Sequence, residues 1–149
     1  MSDFLQMNVA ELLPHTGNMI WLDKVLSWDE DSVTAELTVR GDALFGDGNA
    51  APAWAGIEYM AQTIGLYAGI HAKRAGEPIR LGFLLGTRRF ESNVPAFRFG
   101  STLSVQAERV MQDESLSVFN CLITGGHVKV SATLNVYQAP LATIKNDDE

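Results

Sequence analysis

Pro52-Ala53-Trp54-Ala55-Gly56-Ile57-Glu58-Tyr59-Met60-Ala61-Gln62-Thr63-Ile64-Gly65-Leu66-Tyr67-Ala68-Gly69-Ile70 holds a single charged side chain, Glu58. Small and apolar residues cover nearly every face of a helix drawn through this stretch, the pattern of a helix enclosed by the rest of its fold. Lys73-Arg74 and then Gly76 and Pro78 follow, a conventional stop that predicts a helix over Ala53–Ala75. An ionised carboxylate buried without a partner costs several kcal/mol, so such a group is paired, neutralised or used in chemistry. Gln62 lies one helical turn beyond Glu58 on the same face, within side-chain reach. The ordinary alternative is that Glu58 complements the helix dipole, worth about 0.3–1 kcal/mol.

On either side of this helix the hydrophobic period falls to two. Met19–Trp28 and Ser32–Arg40 read as a first hairpin around Asp29-Glu30-Asp31, with Val33, Ala35, Leu37 and Val39 on one face. Gly41–Ala51 reads as loop, and Asn8–Leu13 as a short amphipathic helix stopped by Pro14. Strands are predicted over Arg80–Glu91, Thr102–Gln112, Ser115–Thr124 and Val128–Gln138. Asp113-Glu114 and Gly125-Gly126-His127 supply the last two turns. One antiparallel sheet of six strands curved around the helix hides it on most sides, an α+β arrangement. A single wrapped sheet leaves edge strands unpaired, which predicts a dimer joined through sheet edges. Residues 1–140 form one domain on this reading, and the acidic tail 141–149 is expected to be disordered.

Composition narrows the function. A 149-residue chain that is 46% hydrophobic is long enough for one domain with a full core. A net charge of −7 argues against general nucleic-acid binding. The charge is uneven: Lys73, Arg74, Arg80, Arg88, Arg89, Arg98 and Arg109 fall in one segment, opposed there by Glu77, Glu91 and Glu108. That segment is either a set of solvated strand faces or a patch for an anionic partner. The helix is interrupted by Gly, Glu, Gln and Thr, so it reads as a buried helix and not a membrane span. Met1–Val9 lacks the regions of a signal peptide, and the expected location is the cytoplasm. The one cysteine, Cys121, cannot form an internal disulfide and reads as a small strand filler. His15, His71 and His127 are scattered, and no Cys/His cluster has metal-ligand spacing, so neither metal nor cofactor is expected.

Several motifs resemble the 3-hydroxyacyl-[acyl-carrier-protein] dehydratases of fatty-acid synthesis. Leu12-Leu13-Pro14-His15 followed by Met19-Ile20-Trp21-Leu22-Asp23-Lys24-Val25 is similar to their N-terminal motif, and Glu58-Tyr59-Met60-Ala61-Gln62 to their active-site helix. Gly86-Thr87-Arg88-Arg89-Phe90 with Val94-Pro95, and then Gly100, resemble a strand motif and a glycine turn in the same order. The wording of Pro52–Gln62 is closer to a divergent dehydratase-like branch associated with aryl-polyene biosynthesis. The resemblance spans about Leu12 to Val136 and implies a hot-dog fold, in which an antiparallel sheet wraps one long central helix.

It also implies an activity: elimination of water from a 3-hydroxyacyl thioester carried by acyl carrier protein. Glu58 would be the acid or base, with burial raising its pKa toward neutrality. Ala53, Trp54, Gly56 and Gln62 would contact substrate, the helix start offering backbone N–H groups to the thioester carbonyl. Arg88 and Arg89 are the candidate contacts for the acidic carrier protein. As strand neighbours they should point to opposite faces, with Lys73, Arg74 or Arg98 as possible additions. The pair of subunits would be a homodimer or a heterodimer with a related dehydratase, with Glu58 and Gln62 in an apolar pocket at their interface. One departure stands out. The dehydratases place a catalytic histidine in the loop before the helix, and here Ala43-Leu44-Phe45-Gly46-Asp47-Gly48-Asn49 has none. His15 reads as structural, His71 as a packing or surface residue, and Asp47 as a turn former. The alternatives left open are a catalytically weak subunit that binds acyl-carrier protein, and a hot-dog thioesterase.

Overall fold

In the computed structural model the described residues are 8–13, 20–40, 50–79 and 82–138. His15, the loop 43–49 with Asp47, Arg80 and the tail 141–149 lie outside them. The strands are β1 (Lys24–Trp28), β2 (Ser32–Thr38), β3 (Ala50–Pro52), β4 (Gly82–Ser92), β5 (Ala96–Arg98), β6 (Thr102–Asp113), β7 (Leu116–Gly125) and β8 (Val128–Gln138). The helix α1 runs over Ala55–Arg74. Six strands form one antiparallel sheet in the order β1-β2-β6-β7-β8-β4. Val33, Ala35, Leu37, Leu103, Val105, Ala107, Phe119, Cys121, Ile123, Val130, Ala132 and Leu134 are buried on the face turned to α1.

The helix lies as its composition demands, with Tyr59, Met60, Gln62, Thr63, Ile64, Leu66, Tyr67 and Ile70 buried. Two of its glycines are there for space. A Cβ at Gly69 would collide with the backbone carbonyl of Leu12, and one at Gly65 would sit 2.9 Å from Leu13 Cδ2. The N-terminal segment therefore packs directly on the helix backbone. It forms a single 3-10 turn over Val9–Glu11, where a longer amphipathic helix was expected, with Asn8 Oδ1 accepting the Ala10 N–H at 2.9 Å.

Two small strands were read as loop or left unassigned. β3 and β5 pair with each other beside the start of α1, and three residues, one of them Pro52, are too few to show a period. The two edges of the large sheet differ. β1 has five residues and an irregular register between Val25 and Ser27. β4 has eleven and exposes Phe83, Leu84, Leu85 and Phe90.

Candidate functional site

A groove of about 450 Å³ opens along one side of α1. Its helix wall is a stripe of Glu58, Ala61, Gly65, Ala68 and Ala72, the spacing of one helix face, with Gln62 and Ile64 beside it. Its other wall comes from the inner face of the sheet at Leu84, Ser117, Phe119 and Val136. The side chains of the stripe are small, so the groove is deep. The only acid on that stripe is Glu58, which is exposed in the single chain and makes no hydrogen bond or ion pair with the described residues. The expected burial of Glu58 is thus not met within one chain. Glu58, in the first turn of α1, projects sideways from the rod, and here that side is the open one.

Gln62 is brought to the same groove. It is 4% exposed, and its Oε1 accepts the backbone N–H of Trp21 at 2.9 Å. Trp21 packs edge-on against Tyr59, with centroids 6.4 Å apart, and the Arg40 guanidinium lies 5.0 Å above its ring. Burial pushes the Tyr59 hydroxyl up to about 12. This cluster was not anticipated, because Trp21 and Arg40 are far from Glu58 in sequence and belong to strand-like segments.

The helix start differs from the expectation. The N–H of Ala53 is donated to Pro95 O at 2.9 Å, that of Gly56 to Ala53 O at 2.9 Å, and that of Ile57 to Trp54 O at 3.1 Å. Ala53 and Gly56 are also buried, Gly56 so tightly that a Cβ would lie 2.9 Å from Ile123 Cδ1. Neither offers a backbone donor to a ligand in this arrangement. Trp54, by contrast, is 58% exposed beside the mouth of the groove end that holds Glu58.

At the opposite end the groove is ringed by Glu30, Tyr67, His71, Arg109 and Gln112. These groups are tied to one another. The Tyr67 hydroxyl donates to Glu30 O at 2.6 Å, Arg74 pairs with Glu30 at 2.8 Å, and Arg109 pairs with Asp31 at 3.2 Å and donates to Gln112. Burial, followed by the nearby cations, lowers the His71 pKa below its ordinary value while Glu30 opposes the shift. The ring of His71 stacks on Tyr67 with centroids 4.3 Å apart. His71 is therefore a packing residue about 20 Å along the helix from Glu58. Cys121 is buried and its thiol pushed up to about 12, which removes it as a nucleophile.

Arg88 and Arg89 are both exposed on β4. Simple alternation does not place them, because the register shifts between Arg88 and Glu91 and Arg89 has φ 58°. Arg88 pairs with Thr133, a neighbour of the inward Leu134, which puts Arg88 on the outer face of the sheet away from the groove. Arg74 is committed to Glu30. Among the described residues no group of three or more His, Cys, Asp or Glu is placed to hold a metal ion, and no helix is long and apolar enough to cross a membrane.

The family model of ApeP-like dehydratases matches residues 7–146. The chain belongs to the ApeP-like dehydratase family. Its fold is that of the dehydratase heterocomplex ApeI:P from Xenorhabdus doucetiae, at TM-score 0.84 and 34% identity, over 96% of this chain and 99% of that one. More distant likenesses show the shared hot-dog fold alone. One is a hypothetical thioesterase with coenzyme A from Streptococcus pneumoniae TIGR4, at TM-score 0.60 and 17% identity over 77% of this chain and 84% of that one. Another is the PaaI protein of the E. coli phenylacetic acid degradation operon, at 0.59 and 12% over 76% and 80%. No curated protein matches the chain. The expected α+β hot-dog architecture and the dehydratase-like family are thus both found.

Proposed function

We propose that this ApeP-like chain removes water from a 3-hydroxyacyl thioester held on the phosphopantetheine arm of an acyl carrier protein, with Glu58 as the proton-transfer group. The observation that carries this reading is a carboxylate with no partner among the described residues, facing a deep groove with a buried amide one turn away. As a carboxylate Glu58 takes the proton from the carbon next to the carbonyl, and as the acid it returns a proton to the departing hydroxyl. A positioned group of this kind is worth about 10²–10⁴-fold in rate. The α1 dipole favours the charge that develops on the carbonyl oxygen when that oxygen lies near Trp54 and Ala55.

Among the described residues β4 is an edge of the sheet, and its Gly82 and Leu84 line the same groove as Glu58, so a second hot-dog chain paired along β4 would cover that groove. A solved relative is the dehydratase heterocomplex ApeI:P, and we assign this chain a related dehydratase as partner. Arg88 and Arg89 remain the candidate carrier-protein contacts, outside the groove. The cytoplasm, where carrier-bound acyl chains are made, is the location this reading requires.

The test is incubation of the chain, alone and with a related dehydratase chain, with a 3-hydroxyacyl carrier protein, followed by mass spectrometry. Loss of one water with an alkene product supports the reading. Free acid and free carrier thiol identify a thioesterase, and an intact substrate bound by the complex identifies a non-catalytic carrier-binding subunit.

A further inference from the structure

The outer face of the large sheet carries an apolar surface that the groove does not use. Residues alternating with the inward Ala107, Phe119 and Leu134 point away from α1. At one end of that face Met111, Leu116 and Phe83 are exposed, with Val118 and Tyr137 between them in register. Contiguous exposed apolar side chains of this kind mark an interaction surface. In their midst Asn135 Oδ1 is enclosed and has no hydrogen-bond partner among the described residues.

We infer that this face docks on the same face of a second copy of the chain, back to back, about a two-fold axis that runs along the strands between β7 and β8. The strand order sets up the match. In the run β6-β7-β8-β4 such an axis lays β6 of one copy over β4 of the other. The row that begins at Glu108 on β6 passes through Asn120 and Thr133 and ends at Arg88 on β4. Each Glu108 therefore faces the other copy's Arg88, and neither has an ion-pair partner among the described residues. The next row runs from Gln106 to Glu91 and sets an amide against a carboxylate. Toward the apolar end Met111 faces Gly86, where an added Cβ would have no atom within 4 Å, so the thioether has a hollow to enter.

None of these rows sets like charges against each other. Near the axis the two Asn135 side chains stand one strand spacing apart sideways, about 4.8 Å, so each Oδ1 can accept an N–H of the other amide. Faces packed in this way lie about 10 Å apart, within reach of Glu, Arg and Met side chains from both sides. The match is between the two halves of one face, which is what an isologous pair requires. It leaves the β4 edge open, so it adds to the pairing proposed along that edge, and it does not depend on the chemistry at Glu58. Arg88 sits at the rim of the face, where a carrier protein can also meet it when the copies are apart.

Sedimentation velocity of the full chain, in whichever complex it forms along β4, counts the copies in each particle. Leu116→Glu and Met111→Glu change exposed side chains on strands away from the β4 edge, and circular dichroism verifies that both fold. Each should halve the particle mass at micromolar concentration. Glu108→Arg and Arg88→Glu should do the same singly, and the two together should restore the wild-type mass. A wild-type particle holding one copy of the chain overturns the inference. So does a mass that neither Leu116→Glu nor Met111→Glu changes, which would leave the β4 edge as the contact between chains. A double reversal that stays at half mass overturns the two-fold register. Failure to remove water from a 3-hydroxyacyl carrier protein would sink the dehydratase reading and leave this assembly standing.

Discussion

The two ends of the groove along α1 hold polar side chains in opposite states. At the C-terminal end, Tyr67, His71, Arg74, Arg109, Glu30 and Asp31 form a dense set of hydrogen bonds, ion pairs and stacked rings that locks the β1–β2 turn onto the helix. At the N-terminal end there is far less polar chemistry, one carboxylate and one amide, yet the carboxylate is tied to no described residue. The richer end has consumed most of its donors and acceptors internally, with His71 Nε2 the exception among its described groups, and a group that is already satisfied has little left to offer a substrate. Polar density alone is therefore a poor guide to where the chemistry sits; an uncommitted group in a concave site is a better one.

The largest contrast between the ends should come from Glu58→Gln. Water loss from the carrier-bound substrate is expected to drop by about 10²–10⁴-fold with an unchanged melting temperature, since the carboxylate is exposed and supports no contact. Equal rates for variant and wild type would remove the chemistry from this end. Between the ends, Gly69→Ala should destabilise the fold by about 1–3 kcal/mol or more, because the new methyl meets the Leu12 carbonyl. Chemical denaturation measures it, and an unchanged midpoint would show that the N-terminal segment can lift away. Tyr67→Phe, at the committed end, deletes one hydrogen bond to Glu30 O and should cost about 1 kcal/mol of stability with no change in kcat. A rate loss there would give the C-terminal end a catalytic share.

Outside the groove, Arg88→Glu and Arg89→Glu test steering of an acidic carrier. Binding should weaken several-fold at low salt and less at 0.15 M, where the screening length is about 8 Å. Unchanged affinity for both reversals, singly and together, would dismiss the patch. The smallest effect concerns pH. The folded His71 pKa lies below its ordinary 6.5, chiefly through desolvation, so the neutral ring is the form the fold prefers. That contribution is fully present above pH 6.5 and is lost as pH falls from there through the folded value. Glu30 and Asp29, both shifted below 4.5 and 3.8, act only at lower pH. Melting curves of His71→Phe, which keeps a ring on Tyr67, should be flatter than wild type between pH 6.5 and 4.5.

Long, strongly periodic elements were legible in the residues. Ala53–Ala75 was expected and Ala55–Arg74 found, and the six strands of the large sheet fall, to within one residue at their ends, inside the segments that alternation marked, although β1 covers only Lys24–Trp28 of the expected Met19–Trp28. The pairing of Glu58 with Gln62 in one groove followed from helical spacing. The Trp21–Gln62 bond did not, because a backbone donor has no sequence signature and its partner is forty-one positions away. The engagement of the Ala53 N–H was hidden for a similar reason: its acceptor, Pro95 O, lies just before β5, in a two-stranded sheet too short to show a period. Alternation alone does not place Arg89, since one bulge in β4 undoes a parity argument for every residue it contains.

The unequal edges of the large sheet bear on how such a chain survives synthesis. The short, irregular β1 is a poor template for another strand. The eleven-residue β4, with Phe83, Leu84 and Leu85 exposed, is a good one. A ribosome releasing this chain alone would release an adhesive surface, and the lifetime of the free chain would then depend on how soon a suitable neighbour arrives. On the proposed pairing with a related chain, matched supply of both polypeptides becomes part of the folding problem, and overproduction of this one alone should yield inclusion bodies before it yields soluble protein.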